Sequence, residues 1–152
     1  MIKILAIGNS FSEDATHYLH QIAKADGVDI KVVNLYIGGC SLKQHWENIQ
    51  SGEKSYLLQE NGYSKELYVS IQDALELEAW DYVVTQQVSH ESGVLESYSP
   101  YIENMQGYIK EVLPDTKLLL HQTWAYEIDS LHSGFWAYHQ NQKEMYERLT
   151  EA

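Results

Sequence analysis

The stretch Ile2-Lys3-Ile4-Leu5-Ala6-Ile7-Gly8-Asn9-Ser10-Phe11-Ser12 decides the fold. Ile2 to Ile7 is a near-continuous apolar run that stops at Gly8, the pattern of a strand buried on both faces. Such a strand needs helices above and below it, so the chain must cross over between strands. The following residues supply the first crossover. Phe11, Ala15, Leu19 and Ile22 recur at helical spacing, and Gly27 stands where a helix C-cap glycine belongs. Ser10 and Glu13 have the spacing of a capping box.

The same alternation continues outward. Ile30 to Leu35 is a second β-branched run, closed by Gly38-Gly39, and Leu42, Trp46 and Ile49 mark one face of a short helix with Ser41 and Gln44 as its capping pair. Two short runs around Tyr56-Leu57-Leu58 and Leu67-Tyr68-Val69 flank Asn61-Gly62, a hairpin dipeptide, so residues 54–70 read as an antiparallel insertion. A short helix from about Ile71 leads to a third core strand, Asp81 to Thr85. Tyr101, Ile102, Met105, Tyr108, Ile109, Val112 and Leu113 form the clearest helical stripe, with Ser99 as its expected N-cap and Pro100 as its first residue. Lys117 to His121 is a fourth strand, and the segment from about Phe135 to Leu149 reads as a final helix. The fold class is therefore α/β: a three-layer α/β/α sandwich with a mainly parallel sheet, in a single domain over residues 1–152.

Composition narrows the function classes. Ten Lys and Arg stand against 22 Asp and Glu, a formal charge of −12. That surface repels phosphate backbones and anionic lipid, so neither nucleic acid nor a membrane surface is an expected partner. The single Cys40 can form no internal disulfide, and the apolar start is too short for a signal sequence or a membrane span, which leads us to expect a cytoplasmic protein. His17 and His20 lack a third ligand, so no metal site and no cofactor is expected.

In open parallel sheets the ligand sits beyond the C-terminal ends of the strands. Four segments fall there: Gly8-Asn9-Ser10-Phe11-Ser12, Ile37-Gly38-Gly39-Cys40, Gln86-Gln87-Val88-Ser89-His90 and His121-Gln122-Thr123-Trp124. Ser10, at the strand-to-helix junction, reads either as a helix cap or as an acyl-transfer nucleophile whose own N–H also faces the reacting oxygen. Gly39 is a candidate second oxyanion donor, and one of Gln86 or Gln87 must face the cleft if strand alternation holds. Tyr63, Trp124, Tyr126 and Trp136 come from non-strand segments and are the aromatic candidates for a carbohydrate-sized cleft. Cys40, with no basic neighbour in sequence, reads as a small buried residue.

These residues resemble a known superfamily. Gly8-Asn9-Ser10-Phe11-Ser12 is similar to the first block of the SGNH (GDSL-like) hydrolases, with Asn9 where aspartate is usual. Asn34-Leu35-Tyr36-Ile37-Gly38-Gly39 resembles the second block, whose glycine falls on Gly39. Trp80 to Gln87 occupies the third, with glutamine in place of the oxyanion-hole asparagine. Together with Ser89 to Gly93 and His121 to Tyr126, the chain resembles the DUF4886 branch, common in gut-type bacteria. The resemblance implies a serine esterase or deacetylase acting on an acylated carbohydrate or similar small ester. Ser10, Gly39, Gln86 and Gln87 are then the catalytic candidates, and Asn9, Ser89, His90, Trp124 and Tyr126 the candidate substrate contacts.

In that superfamily the general base comes from an Asp-x-x-His pair near the C-terminus, after a further strand; no such pair follows the final helical segment, whose pattern runs to Ala152 without a stop signal. We therefore expect an incomplete C-terminal part of the fold and an edge that favours self-association. His90 and His121 are the histidines nearest the strand ends that could stand in as base. Two other readings remain: an inactive carbohydrate-binding or assembly module of the same fold, and a flavodoxin-like flavin binder with Ser10, Ser12 and Thr16 around a phosphate.

Overall fold

The structure, a computed structural model, describes residues 1–127 and 142–152. Its centre is a six-stranded sheet: β1 Ile2–Gly8, β2 Ile30–Tyr36, β3 Tyr56–Glu60, β4 Tyr63–Val69, β5 Tyr82–Thr85 and β6 Lys117–Leu120, in the order β4-β3-β2-β1-β5-β6. β2, β1, β5 and β6 are mutually parallel, while β3 pairs antiparallel with β2 and β4 with β3. The chain leaves β1 for β2 on one side and later returns to β5 on the other. Strand order thus reverses at β1, and the ends of β1 and β5 flank the resulting crevice.

Period-two alternation sorts β1 and β2 between the two helical layers. Leu5, Ile7, Val33, Leu35 and Val83 turn to one face, where they meet Leu42, Ile71, Leu75, Met105 and Ile109 in one buried cluster. Those residues come from α3 Leu42–Ser51, α4 Ile71–Glu76 and α5 Tyr101–Val112. The last helix, α6 Gln142–Glu151, adds Met145 and Leu149 to the same cluster. On the opposite face α1 Ser10–His17 and α2 Leu19–Ala25 lie over β1 and β2. The architecture is three-layer α/β/α, as the alternation predicts. Among the described residues no helix is long and apolar enough to cross a membrane.

Several local expectations change. The first crossover is two helices broken at Tyr18, and its buried face is Phe11, Ser12 and Thr16, leaving Ala15 and Ile22 exposed. A polar stripe replaced the expected apolar one because Ser12 and Thr16 satisfy their hydroxyls internally, on Asn34 Oδ1 and Ser12 O. Pro100, rather than Ser99, occupies the N-cap of α5. The final helix is described only from Gln142, so its expected start near Phe135, and Trp136, lie outside the described residues.

The hairpin at 54–70 forms as expected, but it extends the main sheet beside β2. Asn61 explains the attachment: its N–H donates to Val32 O at 2.8 Å and its Oδ1 accepts from Val32 N at 3.0 Å. Both turn residues have positive φ, 53° at Asn61 and 86° at Gly62. A Cβ on Gly62 would lie 2.1 Å from His17 O, a backbone atom at the end of α1. Gly62→Ala should therefore cost about 1–3 kcal/mol in urea unfolding, since both the backbone conformation and the close approach oppose it. A loss below about 0.5 kcal/mol would contradict this packing.

Candidate active site

Three strand ends converge on one buried amide. Asn9, directly after β1 and 1% exposed, uses both ends of its side chain. Nδ2 donates to Cys40 O at 3.0 Å, reaching the turn after β2. Oδ1 accepts from Phe11 N at 3.1 Å and from Gln86 Nε2 at 3.2 Å, reaching α1 and the end of β5. Asn9 is thus the N-cap of α1, and the Ser10–Glu13 capping box does not form. Glu13 instead accepts from Gln59 Nε2 at 2.6 Å.

Because Asn9 does the capping, Ser10 is released from it. Ser10 is the first residue of α1, exposed, with no hydrogen bond to its Oγ among the described residues. Its N–H belongs to the first turn of the helix, where backbone donors have no intrahelical partner. Across the crevice, Ile37-Gly38-Gly39-Cys40 forms a tight turn closed by Cys40 N donating to Ile37 O at 3.3 Å. Gly39, at φ +66°, takes the third position of that turn, where a side chain is disfavoured. A Cβ there would meet nothing within 4 Å, so the peptide is bare toward solvent.

Both glutamines are buried, where alternation led us to expect one in the cleft. Gln86 lies over Gly8, where a Cβ would come within 2.0 Å of Gln86 Nε2. That contact explains the glycine before Asn9. Gln87 is wholly engaged: Oε1 accepts from Leu42 N at 3.0 Å and Val88 N at 2.8 Å, and Nε2 donates to Ser97 O at 2.9 Å and Ser97 Oγ at 3.0 Å. It ties the start of α3 to the loop after β5. Alternation fails because β5 ends at Thr85, so the two residues lie beyond the pleated strand.

The aromatic candidates separate. Phe11 and Trp124 meet edge to face at 4.5 Å, and with Ser89, Ala125, Tyr126 and Glu127 they line a cleft of about 360 Å³. Tyr126 Oη donates to Ser89 Oγ at 2.7 Å. Trp124 is 47% exposed beside Phe11, the residue following Ser10. Tyr63 instead sits exposed on the edge strand β4. His90 is exposed in the loop after β5, and His121 is half-buried next to β6, where desolvation lowers its pKa. Neither hydrogen-bonds Ser10 among the described residues.

Two polar groupings went unseen in the sequence. Ser12 Oγ donates to Asn34 Oδ1 at 2.5 Å, Asn34 Nδ2 to Gln59 Oε1 at 2.8 Å, and Gln59 Nε2 to Glu13, a closed circuit joining α1, β2 and β3. Behind the Gly39 turn, Cys40 Sγ lies 3.3 Å from His45 Nδ1, which is 2.8 Å from Tyr56 Oη. Burial pushes the Cys40 thiol up to about 12 and the His45 imidazole down to about 3, and raises the Tyr56 phenol. The cluster is neutral. His45 and Asn48 interrupting the buried face of α3 at i, i+3 were its sequence signal.

Two consequences are measurable. Asn9→Asp would set a carboxylate oxygen against Cys40 O in place of the donor, so about 2 kcal/mol of stability should be lost near neutral pH. The gap to the unaltered chain should narrow as acid protonates the new carboxyl, which a urea series over pH would follow. The His45 imidazole is held below its unfolded value, so its contribution is full above pH 6.5 and lost as pH falls toward about 3. Unfolding free energy should drop by up to about 1.4 kcal/mol per pH unit in that window, with the decline shallower in His45→Asn.

Comparison with known proteins places this geometry in a family. No curated protein matches the chain. A DUF4886 family protein from Bacteroides uniformis ATCC 8492 is similar over 99% of this chain and 60% of its own, at 40% identity and a TM-score of 0.90. The chain therefore spans about 60% of that relative's length. A protein from Slackia heliotrinireducens, provisionally classed as an SGNH hydrolase, shares the fold at a TM-score of 0.55 and 22% identity, over 99% of this chain and 70% of its own. The family model for the domain of unknown function DUF4886 matches residues 3–152, and the chain belongs to that family.

Proposed function

We propose that the strand-end crevice is a serine ester hydrolase site of the SGNH type. The observation that carries this reading is the division of labour between Asn9 and Ser10. Asn9 caps α1 and binds the two neighbouring strand ends, and Ser10 is left exposed with its hydroxyl unspent among the described residues. Ser10 Oγ would attack the acyl carbon, and the N–H groups of Ser10 and Gly39 would receive the oxyanion. Gln86 and Gln87 would act behind them, Gln86 by orienting Asn9 and Gln87 by holding the start of α3.

The substrate class follows from the neighbouring cleft. Trp124, Phe11 and Tyr126 offer ring faces and edges within a volume suited to a sugar-sized alcohol, so an acylated carbohydrate or similar small ester is the proposed substrate. Ser89 and Tyr126 would bear on that group, and His90 lies on the same loop as Ser89. A reduced, buried Cys40 suits a cytoplasmic setting.

A nucleophile with oxyanion donors and, among the described residues, no base hydrogen-bonded to it retains roughly 10³–10⁴-fold over water. A fluorophosphonate probe should accordingly label the chain slowly and at one site. Ser10→Ala should abolish labelling, while His90→Gln and His121→Gln should leave its rate unchanged. Equal labelling of Ser10→Ala and the unaltered chain, read by intact mass, would sink the assignment.

A further inference from the structure

Cys40 is where two independent restraints on the Gly39 turn meet. Its carbonyl accepts from Asn9 Nδ2 at 3.0 Å, and its side chain packs on His45. His45 is held in turn by Tyr56 Oη, and Tyr56 Oη accepts from Asn48 Nδ2 at 3.1 Å. All of Cys40, His45 and Tyr56 is sealed from solvent.

One arrangement of donors satisfies the chain of bonds with His45 Nδ1 as acceptor. Asn48 donates to the phenol oxygen, so the phenol hydrogen is free to be given to His45 Nδ1. The imidazole proton then resides on Nε2, which is buried and has no partner among the described residues. A buried donor without a partner costs stability, so something else must hold the ring in place. Tyr56 does so twice, by its hydroxyl and by stacking on the ring, centroids 5.7 Å apart with planes inclined 19°.

A neutral thiol without access to water is no nucleophile, so this is not a second catalytic centre. Its position gives it a mechanical use. Tyr56 starts β3 in the antiparallel hairpin, His45 and Asn48 lie on α3, and Cys40 ends the turn, so the cluster clamps the turn between a helix and a sheet extension. Without the clamp the turn would keep its backbone bonds, Cys40 N to Ile37 O and Ile37 N to Gly8 O, and the Asn9 bond to the Cys40 carbonyl, but no hold on the Cys40 side chain.

We propose that His45 and Tyr56 are positioning residues that act through Cys40 to fix the Gly39 peptide as an oxyanion donor. The catalytic consequence rests on the hydrolase reading; the conformational one does not.

Two readouts on the full chain separate them: the ¹⁵N amide resonances of Gly39 and Cys40, and the rate of Ser10 phosphonylation at saturating fluorophosphonate with the probe concentration at half-saturation. Tyr56→Phe and His45→Ala should shift both amides and slow phosphonylation by about tenfold to a hundredfold, with half-saturation changed less than about twofold. His45→Asn, which restores an acceptor near the place of Nδ1, should recover the Gly39 resonance and most of the rate. Cys40→Ala, which removes only the thiol, covers the case in which the larger replacements fail to fold, and should also shift Gly39. Unmoved Gly39 and Cys40 amides in folded variants would overturn the proposal, as would a rate that falls only with the folded fraction. Absence of any Ser10 labelling in the unaltered chain would overturn the hydrolase reading instead, and the amide comparison would still decide whether the clamp holds the turn.

Discussion

The buried amide of Asn9 is the constraint on which the site depends. Its side chain bonds into the segments after β1, β2 and β5, the three strand ends around the switch in strand order. Its chemistry is demanding. One end must donate to a carbonyl while the other accepts from two N–H groups, and a neutral amide does both where a carboxylate can only accept. This explains asparagine where the resemblance leads one to expect aspartate. A carboxylate would satisfy Phe11 and Gln86 and leave Cys40 O facing another oxygen. It also explains why α1 needs no capping serine, which is the reason Ser10 is available for anything else.

Around that amide the structure is arranged in successive supports. Gly8 lacks a side chain because Gln86 lies across it. Gln87 fastens α3 to the loop after β5 through four hydrogen bonds. The Ser12-Asn34-Gln59-Glu13 circuit fastens α1 to β2 and β3, so the hairpin contributes to the site's rigidity. Glu13 is thereby drawn from the helix N-terminus into pairing with Gln59. With Phe11 N already bonded to Asn9, the first turn of α1 offers fewer donors to a phosphate than a flavin-binding reading requires.

The fold was legible in the sequence wherever burial imposed a period. Ile2 to Ile7 and Ile30 to Leu35 read as two-sided strands, and Asn61-Gly62 as a hairpin turn, because few residues adopt positive φ at both positions. The hairpin's attachment to β2 was not legible, since it depends on Asn61 bonding Val32, a contact 29 residues distant in sequence. The break at Tyr18 left no signal in the spacing, and the burial of Ser12 depends on Asn34, a partner on another strand. At the site, local sequence located Ser10, Gly39 and the glutamines at the strand ends but left Ser10 open between cap and nucleophile and did not single out Asn9 as the cap. Ser10 and Asn9 are both good caps, and the choice between them is made by Cys40 O and Gln86, which come from other strands. The Cys40-His45-Tyr56 cluster left only His45 and Asn48 on one helix face as a local trace, because its other members come from the turn and β3.

The central claim is that Asn9 sets Ser10 and the Gly39 peptide around one reacting centre. Its most direct test is a crystal structure of the chain after reaction with a fluorophosphonate. The account predicts a covalent bond to Ser10 Oγ, with the phosphonyl oxygen within hydrogen-bond distance of the N–H groups of both Ser10 and Gly39, and Asn9 still bridging Cys40 O and Gln86. A phosphonyl group on another residue, or one on Ser10 whose oxygen points away from Gly39 into solvent, would contradict it.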